Sequence, residues 1–157
     1  RHEGEMLWVV TLMPHSLQPA SFHALEAYGH GASALEVAKF LEKNAKVQVV
    51  RYPWLKSHPD HALAKKQMRA GGSTIAITFK GDKTKVFKFM NALQVIDISN
   101  NLGDAKSLMT HPASTTHRNI GAEARALMGI TDGMLRLSVG LEDVDDLIGD
   151  LKQAMKG

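Results

Sequence analysis

The apolar positions of this chain recur with two different periods, and each period predicts its own set of elements. Three stretches place apolar residues three or four positions apart with charged residues between them, which predicts amphipathic helices over residues 34–43, 83–93 and 142–155. Four short stretches alternate or are β-branched, which predicts strands over residues 47–52, 73–79, 95–98 and 135–139. Two shorter helices are expected over residues 61–68 and 122–128.

The order of these elements bears on the fold class. Helices and strands alternate along the chain, which is compatible with a parallel, doubly wound sheet. The strands are few and short, however, and Thr78 and Ser138 place polar residues within two of them. These features favour an α+β fold, with a small antiparallel sheet and helices over one face of it.

The first 31 residues give weaker signals than the rest of the chain. Residues 6–13 are apolar and compatible with a strand, and Gly29 and Gly31 are expected to interrupt any helix before residue 32. We therefore divide the chain into an N-terminal segment, residues 1–31, and a folded domain, residues 32–157. The chain begins without Met, as a piece of a longer protein would.

Composition narrows the classes of function. The 157 residues suit one domain, and they contain no Cys, which removes disulfides and thiolate chemistry and fits a cytoplasmic protein. The net charge of +3 is mild and the basic residues are scattered, so we expect no nucleic-acid partner. No apolar run is long enough to cross a membrane, so we expect no membrane partner.

Histidines and hydroxyl residues suggest chemistry that their spacing does not support. His111 and His117 are six positions apart, with no acidic residue at a recognised ligand spacing, so no metal site is predicted. The hydroxyl run at residues 114–116, next to His117, lacks the G-x-S-x-G elbow of a nucleophilic serine. A polar loop with hydrogen bonds from side chains to the backbone is the favoured interpretation.

Two further features are candidates for a binding site. The polar stretch 99–108 follows a predicted strand, and such a stretch is either a surface loop or a site loop held by a rigid scaffold. Arg136 lies between Leu135 and Leu137, so strand alternation puts it on the opposite face from those leucines. A solvated face would make Arg136 a surface charge, which the pattern favours. A cleft would make its guanidinium a carboxylate clamp.

Three segments in consistent order carry a resemblance to a known family. They are residues 98–108, with two adjacent asparagines before Leu-Gly-Asp, residues 110–117 and residues 129–142. Together they closely resemble the C-terminal domain of the pyridoxal-phosphate enzymes of cysteine and methionine metabolism. The double asparagine is most similar to the O-succinylhomoserine and O-acetylhomoserine sulfhydrylases, and the similarity runs from about residue 32 to the end.

The resemblance implies a fold and a set of site residues. The fold would be the small domain of a fold-type-I pyridoxal-phosphate enzyme. The arginine of the family's R-L-S-V-G motif, here Arg136, binds the substrate α-carboxylate, and Asn101 and Ser99 would lie at the substrate edge. The family's Schiff-base lysine and cofactor-binding residues belong to the large domain and have no counterpart here. We therefore expect no catalytic, cofactor-binding or metal residue in this chain, and little or no binding of pyridoxal phosphate by it alone.

The function implied is that of one part of a sulfhydrylase. The intact family enzyme is a homotetramer that replaces the γ-substituent of an activated homoserine with sulfur, giving homocysteine. One alternative is a domain of a methionine γ-lyase or cystathionine-type enzyme. Another is a non-catalytic, self-associating module, an alternative suggested by the apolar stretch at residues 6–13.

Overall fold

The structure is a computed structural model that describes the backbone of residues 20–156 and the side chains of residues 31–156. The apolar stretch at residues 6–13, interpreted above as compatible with a strand, lies outside the described residues. Within the described part, no helix is both long enough and apolar enough to cross a bilayer.

Five strands form one sheet at the centre of the described chain. Their bounds are β1 Val47–Arg51, β2 Thr74–Phe79, β3 Asp97–Ile98, β4 Leu108–Thr110 and β5 Met134–Ser138. Their order across the sheet is β1-β2-β5-β4-β3. The pairs β1–β2, β2–β5 and β5–β4 are antiparallel, and the pair β3–β4 at one edge is parallel. The predicted α+β fold is confirmed, with one parallel pair added to the expected antiparallel sheet.

Three of the five α-helices in the described part of the chain pack on one face of this sheet. The bounds of the five are α1 Ala20–Glu42, α2 His61–Gln67, α3 Lys83–Asn91, α4 Ala122–Leu127 and α5 Val144–Ala154. Helices α1, α3 and α5 share one apolar core with β1, β2 and β5, as their periodicity predicts. Alternate residues of the two central strands point into this core, namely Ile75, Ile77, Leu135 and Leu137.

Helix α1 corrects one prediction. It runs without a break through Gly29 and Gly31, which were expected to interrupt it. A glycine costs a helix only about 1 kcal/mol relative to alanine. Close packing outweighs that cost here, because a Cβ on Gly31 would lie 3.1 Å from the Cβ of Ala70, and the buried Tyr52 hydroxyl donates to the Gly31 carbonyl.

Strand β4 was not predicted. Its three residues are all buried, so it shows no alternation, and it is too short to be distinguished from the loops around it. It pairs with β5 so that Thr110 lies opposite Arg136, while Ala76 of β2 lies on the other side of Arg136. These three residues occupy the sheet face that points away from the helices, which we call the outer face.

Candidate functional site

Arg136 is the centre of a hydrogen-bonded cluster on the outer face. Its Nη2 donates to the carbonyl oxygens of Asn100 at 2.8 Å and Asn101 at 3.2 Å, and to Thr110 Oγ1 at 3.1 Å. Its Nε is buried and has no hydrogen-bond partner in the described part of the chain. One end of the guanidinium is thus fixed, while a buried donor is left unpaired.

This environment suits a bound anion. Burial lowers the pKa of Arg136, but an arginine stays protonated at neutral pH because its ordinary pKa lies far above neutrality. A buried donor without a partner is costly, and the planar guanidinium fork matches a carboxylate better than any neutral group. The cluster can therefore hold a carboxylate by charge and by hydrogen bonds.

A nine-residue connection, residues 99–107, forms one wall of the cluster, and we call it the site loop. It joins β3 to β4, which are adjacent and parallel, whereas such a connection ordinarily takes a dozen or more residues. The loop can be this short because it turns straight back across the outer face beside β5. At its start, Thr110 Oγ1 donates to the Ser99 carbonyl, and the Asn101 amide donates to Ser99 Oγ at 3.3 Å.

The segment after β4 forms a second wall. His111 is 2% exposed, its Nε2 donates to the Asp132 carbonyl at 2.9 Å, and its Nδ1 accepts from Ser114 Oγ at 2.9 Å. Thr115 Oγ1 donates to the His111 carbonyl, so the polar stretch is held by bonds between side chains and backbone, as predicted. The turn brings His117 towards Arg136, and burial together with the Arg136 charge lowers the pKa of His117.

The three residues proposed from the sequence meet in this cluster. Arg136, Asn101 and Ser99 belong to one hydrogen-bond network, but Asn101 contacts Arg136 through its main-chain carbonyl rather than its side chain. Sequence reasoning missed Thr110 and His117. The pairing of β4 with β5 brings Thr110 to Arg136, and a pattern within one segment cannot reveal that register.

Among the described residues that hydrogen-bond Arg136 there is no lysine for a pyridoxal-phosphate site. Such a site needs a lysine amine that can lose its proton, donors for the phosphate and an acid for the ring nitrogen. The site loop has one lysine, Lys106, whose Nζ lies 2.5 Å from the Asp97 carboxylate. The hydrogen bond to Asp97 and the charge of that carboxylate raise the pKa of Lys106. Among the described residues, no three His, Asp or Glu side chains come together as metal ligands would.

Comparisons with known proteins match most of the chain. The family model described as Cys/Met metabolism PLP-dependent enzyme matches residues 24–156. O-succinylhomoserine sulfhydrylase of Mycobacterium tuberculosis is 51% identical over 136 residues, covering 84% of this chain and 34% of that protein. L-methionine γ-lyase of Pseudomonas putida is 47% identical over 127 residues, covering 81% and 32%.

A solved structure shares the fold. It is a protein of Campylobacter jejuni described as an O-acetylhomoserine (thiol)-lyase and carrying a pyridoxyl-lysine phosphate group. It superposes with a TM-score of 0.82 at 38% identity, over 85% of this chain and 32% of that one. The chain spans about a third of the length of the curated relatives that it matches. With 133 of its 157 residues matched, the chain belongs to the Cys/Met metabolism PLP-dependent enzyme family.

Proposed function

We propose that this chain is the C-terminal, substrate-binding part of a pyridoxal-phosphate-dependent homoserine-ester sulfhydrylase, and that Arg136 holds the substrate α-carboxylate. The observation that carries the proposal is the half-buried guanidinium of Arg136, tethered through Nη2 and unpaired at Nε. The similarity to O-succinylhomoserine and O-acetylhomoserine sulfhydrylases supports this choice of reaction.

Each residue of the cluster has a distinct part in this proposal. Arg136 binds and orients the amino-acid end of the substrate. The carbonyls of Asn100 and Asn101 fix the guanidinium, and Ser99 holds the backbone of Asn101. His117 lies close enough to Arg136 that burial and the Arg136 charge both lower the pKa of its ring.

The covalent chemistry belongs to the whole protein rather than to this chain. Pyridoxal phosphate, when bound, supplies the electron sink for the γ-replacement reaction. The described residues that hydrogen-bond Arg136 include no lysine, so the cofactor's lysine and phosphate donors are expected in the part that the relatives have beyond this match. We place the whole enzyme in the cytoplasm as a homotetramer, on the resemblance stated above.

A second candidate is a methionine γ-lyase. Members with that name from Pseudomonas putida and Treponema denticola are 47% and 48% identical to this chain. The carboxylate site would be the same in both cases, because both substrates are α-amino acids. The self-associating module remains the non-enzymatic alternative, and light scattering of the chain at several concentrations distinguishes it.

Binding of a simple amino acid tests the carboxylate role. The full chain, labelled with ¹⁵N, is titrated with L-homoserine and, as a matched probe without the carboxylate, with L-homoserine amide. We expect saturable shifts of the Arg136 Nε–H and Asn101 amide signals with L-homoserine only, with a dissociation constant of about 1 mM, equivalent to about −4 kcal/mol. Equal shifts with both probes, or a shift of Asn101 that survives Arg136→Lys, would contradict the proposal.

A further inference from the structure

The segment that leaves β5, residues 138–142, follows the site loop residue by residue. The Gly103 amide donates to Ser138 Oγ at 3.1 Å, and the Leu141 amide donates to the Ala105 carbonyl at 2.8 Å. The contact pattern begins at Arg136, which holds the carbonyl of Asn101. Residues 136–142 and the site loop therefore run in the same direction, with contacts at Asn101, Gly103 and Ala105 of the loop.

Glu142 closes this series at the far end of the loop. Its Oε1 accepts from the Ser107 amide at 2.6 Å, and its Oε2 accepts from Ser107 Oγ at 2.8 Å. Ser107 Oγ in turn accepts from the Gly140 amide at 2.8 Å. Ser107 is fully buried, so its amide N–H and its hydroxyl cannot hydrogen-bond to water in place of the carboxylate.

Gly140 makes this contact possible. A Cβ on Gly140 would lie 2.6 Å from the carbonyl carbon of Lys106 and overlap the Ala105 carbonyl oxygen. The absence of a side chain lets the loop lie directly on the strand, within reach of both Glu142 oxygens. Three loop residues are thus held: Ser107 by Glu142, Gly103 by Ser138 and Asn101 by Arg136. Only short spans of the loop lie between them.

We propose that Glu142 is a positioning residue: through Ser107 it fixes the site loop so that the carbonyls of Asn100 and Asn101 clamp the Arg136 guanidinium. The clamp itself is a feature of the structure, and only its value for substrate binding rests on the proposed function. Glu142→Gln keeps the shape of the side chain and one acceptor for the Ser107 amide, but it removes the negative charge and turns the other acceptor into an NH₂ group, so Ser107 Oγ loses the carboxylate that accepts its hydrogen bond.

The test measures how well the Arg136 guanidinium and the site loop are protected from hydrogen exchange, with no ligand present. Hydrogen exchange of the Arg136 Nε–H and of the amides of Gly103 and Ser107 is followed by NMR in the full chain. We expect Glu142→Gln to speed these exchanges about tenfold, because both bonds from Ser107 lose the charged acceptor, and Ser107→Ala about threefold, because the amide of residue 107 keeps its bond to the carboxylate. Asp146→Asn is the matched control, because it removes an equal charge from the first turn of α5, and it should leave them unchanged.

The outcomes separate the two ideas. Faster exchange at Arg136 together with roughly tenfold weaker binding of L-homoserine supports the positioning role and the carboxylate site together. Faster exchange in a protein that does not bind L-homoserine supports the positioning of Arg136 while rejecting the proposed function. Unchanged exchange at Arg136 in folded Glu142→Gln, or in Ser107→Ala if the former does not fold, overturns the positioning role.

Discussion

Asp150 of α5 accepts a hydrogen bond from the backbone amide of Ile96, at 3.0 Å, and so ties the last helix to the segment that leads into the site loop. The same carboxylate accepts from the amides of Gln94 and Val95 and from the Gln153 side chain. It is 4% exposed, and three successive amides converge on it. The start of the site loop is therefore fixed by a buried charge on a distant element.

This arrangement predicts a pH-dependent stability. Burial by itself raises the pKa of Asp150, but the hydrogen bonds from Ile96, Gln94, Gln153 and Val95 lower it to a net value below the ordinary one. The stabilisation is therefore complete above the unfolded pKa of about 3.9 and is lost as pH falls through the folded value.

We expect Asp150→Asn to lower the free energy of unfolding by about 2–3 kcal/mol near neutral pH. Urea unfolding at a series of pH values measures the gap between the two proteins, which should narrow below about pH 4. Asp145→Asn, an exposed position on the same helix, is the control. A gap that stays constant as the pH falls would show that the charge of Asp150 is not what holds the segment.

Two glycines offer a matched pair for the contact between loop and strand. Gly140→Ala should lower the free energy of unfolding by about 1–3 kcal/mol, because its Cβ would overlap the backbone of Ala105 and Lys106. Gly149→Ala, within α5, meets no atom within 4 Å and should stabilise the protein by about 0.5–1 kcal/mol. Thermal or urea unfolding measures the change in free energy of unfolding for both variants. Equal changes in Gly140→Ala and Gly149→Ala would contradict the close contact at Gly140.

The ring of His117 reports on the charge of Arg136. Burial and that charge both lower the pKa of His117, so Arg136→Gln, which removes the charge and leaves the burial, should raise it. NMR titration of the ring signals measures the change. Arg51→Gln, on the exposed edge strand β1, should leave the pKa of His117 unchanged. An unchanged pKa of His117 in Arg136→Gln would show that the charge of Arg136 does not act on the His117 ring.

The cofactor prediction concerns the isolated chain. Because the described residues that hydrogen-bond Arg136 include no lysine, mixing the chain with pyridoxal phosphate and adding borohydride should label no single lysine stoichiometrically. Peptide mass analysis of the reduced protein checks this. One lysine labelled at a one-to-one ratio would mean that the chain carries its own Schiff-base lysine.

The sequence predicts the parts of this fold whose signals are local. The alternation of Ile75, Ile77 and Phe79 predicts β2, and the apolar stripe with Leu147 and Leu151 predicts α5. Strand β4 and the uninterrupted helix α1 escape prediction because long-range packing decides them. A three-residue buried strand has no period of its own, and Gly31 of α1 packs closely against Ala70.

The site was predictable only in part, for a related reason. The position of Arg136 between two leucines places it on the face away from the core, but its neighbours depend on strand register. Thr110 and His117 come to it from a segment with no periodic signal, and the clamp uses main-chain carbonyls, which any residue type supplies. The hydrogen bonds from the loop to Ser138 and Glu142 could not be predicted, because they join residues 35 positions apart in the sequence.

A chimaera tests the central claim most directly. Residues 24–156 of this chain replace the matching part of Mycobacterium tuberculosis O-succinylhomoserine sulfhydrylase, and the reaction of O-succinyl-L-homoserine with sulfide, in which the Cγ–O bond breaks and succinate is released, is measured. We predict an active enzyme in which Arg136→Lys lowers kcat/KM about 10- to 100-fold, because lysine keeps the charge but loses the guanidinium's charge-assisted hydrogen bonding to the carboxylate, worth about 1.5–3 kcal/mol, while Arg51→Lys has no effect. A folded chimaera whose kcat/KM is the same with Arg136→Lys would contradict the assignment of Arg136 as the carboxylate clamp.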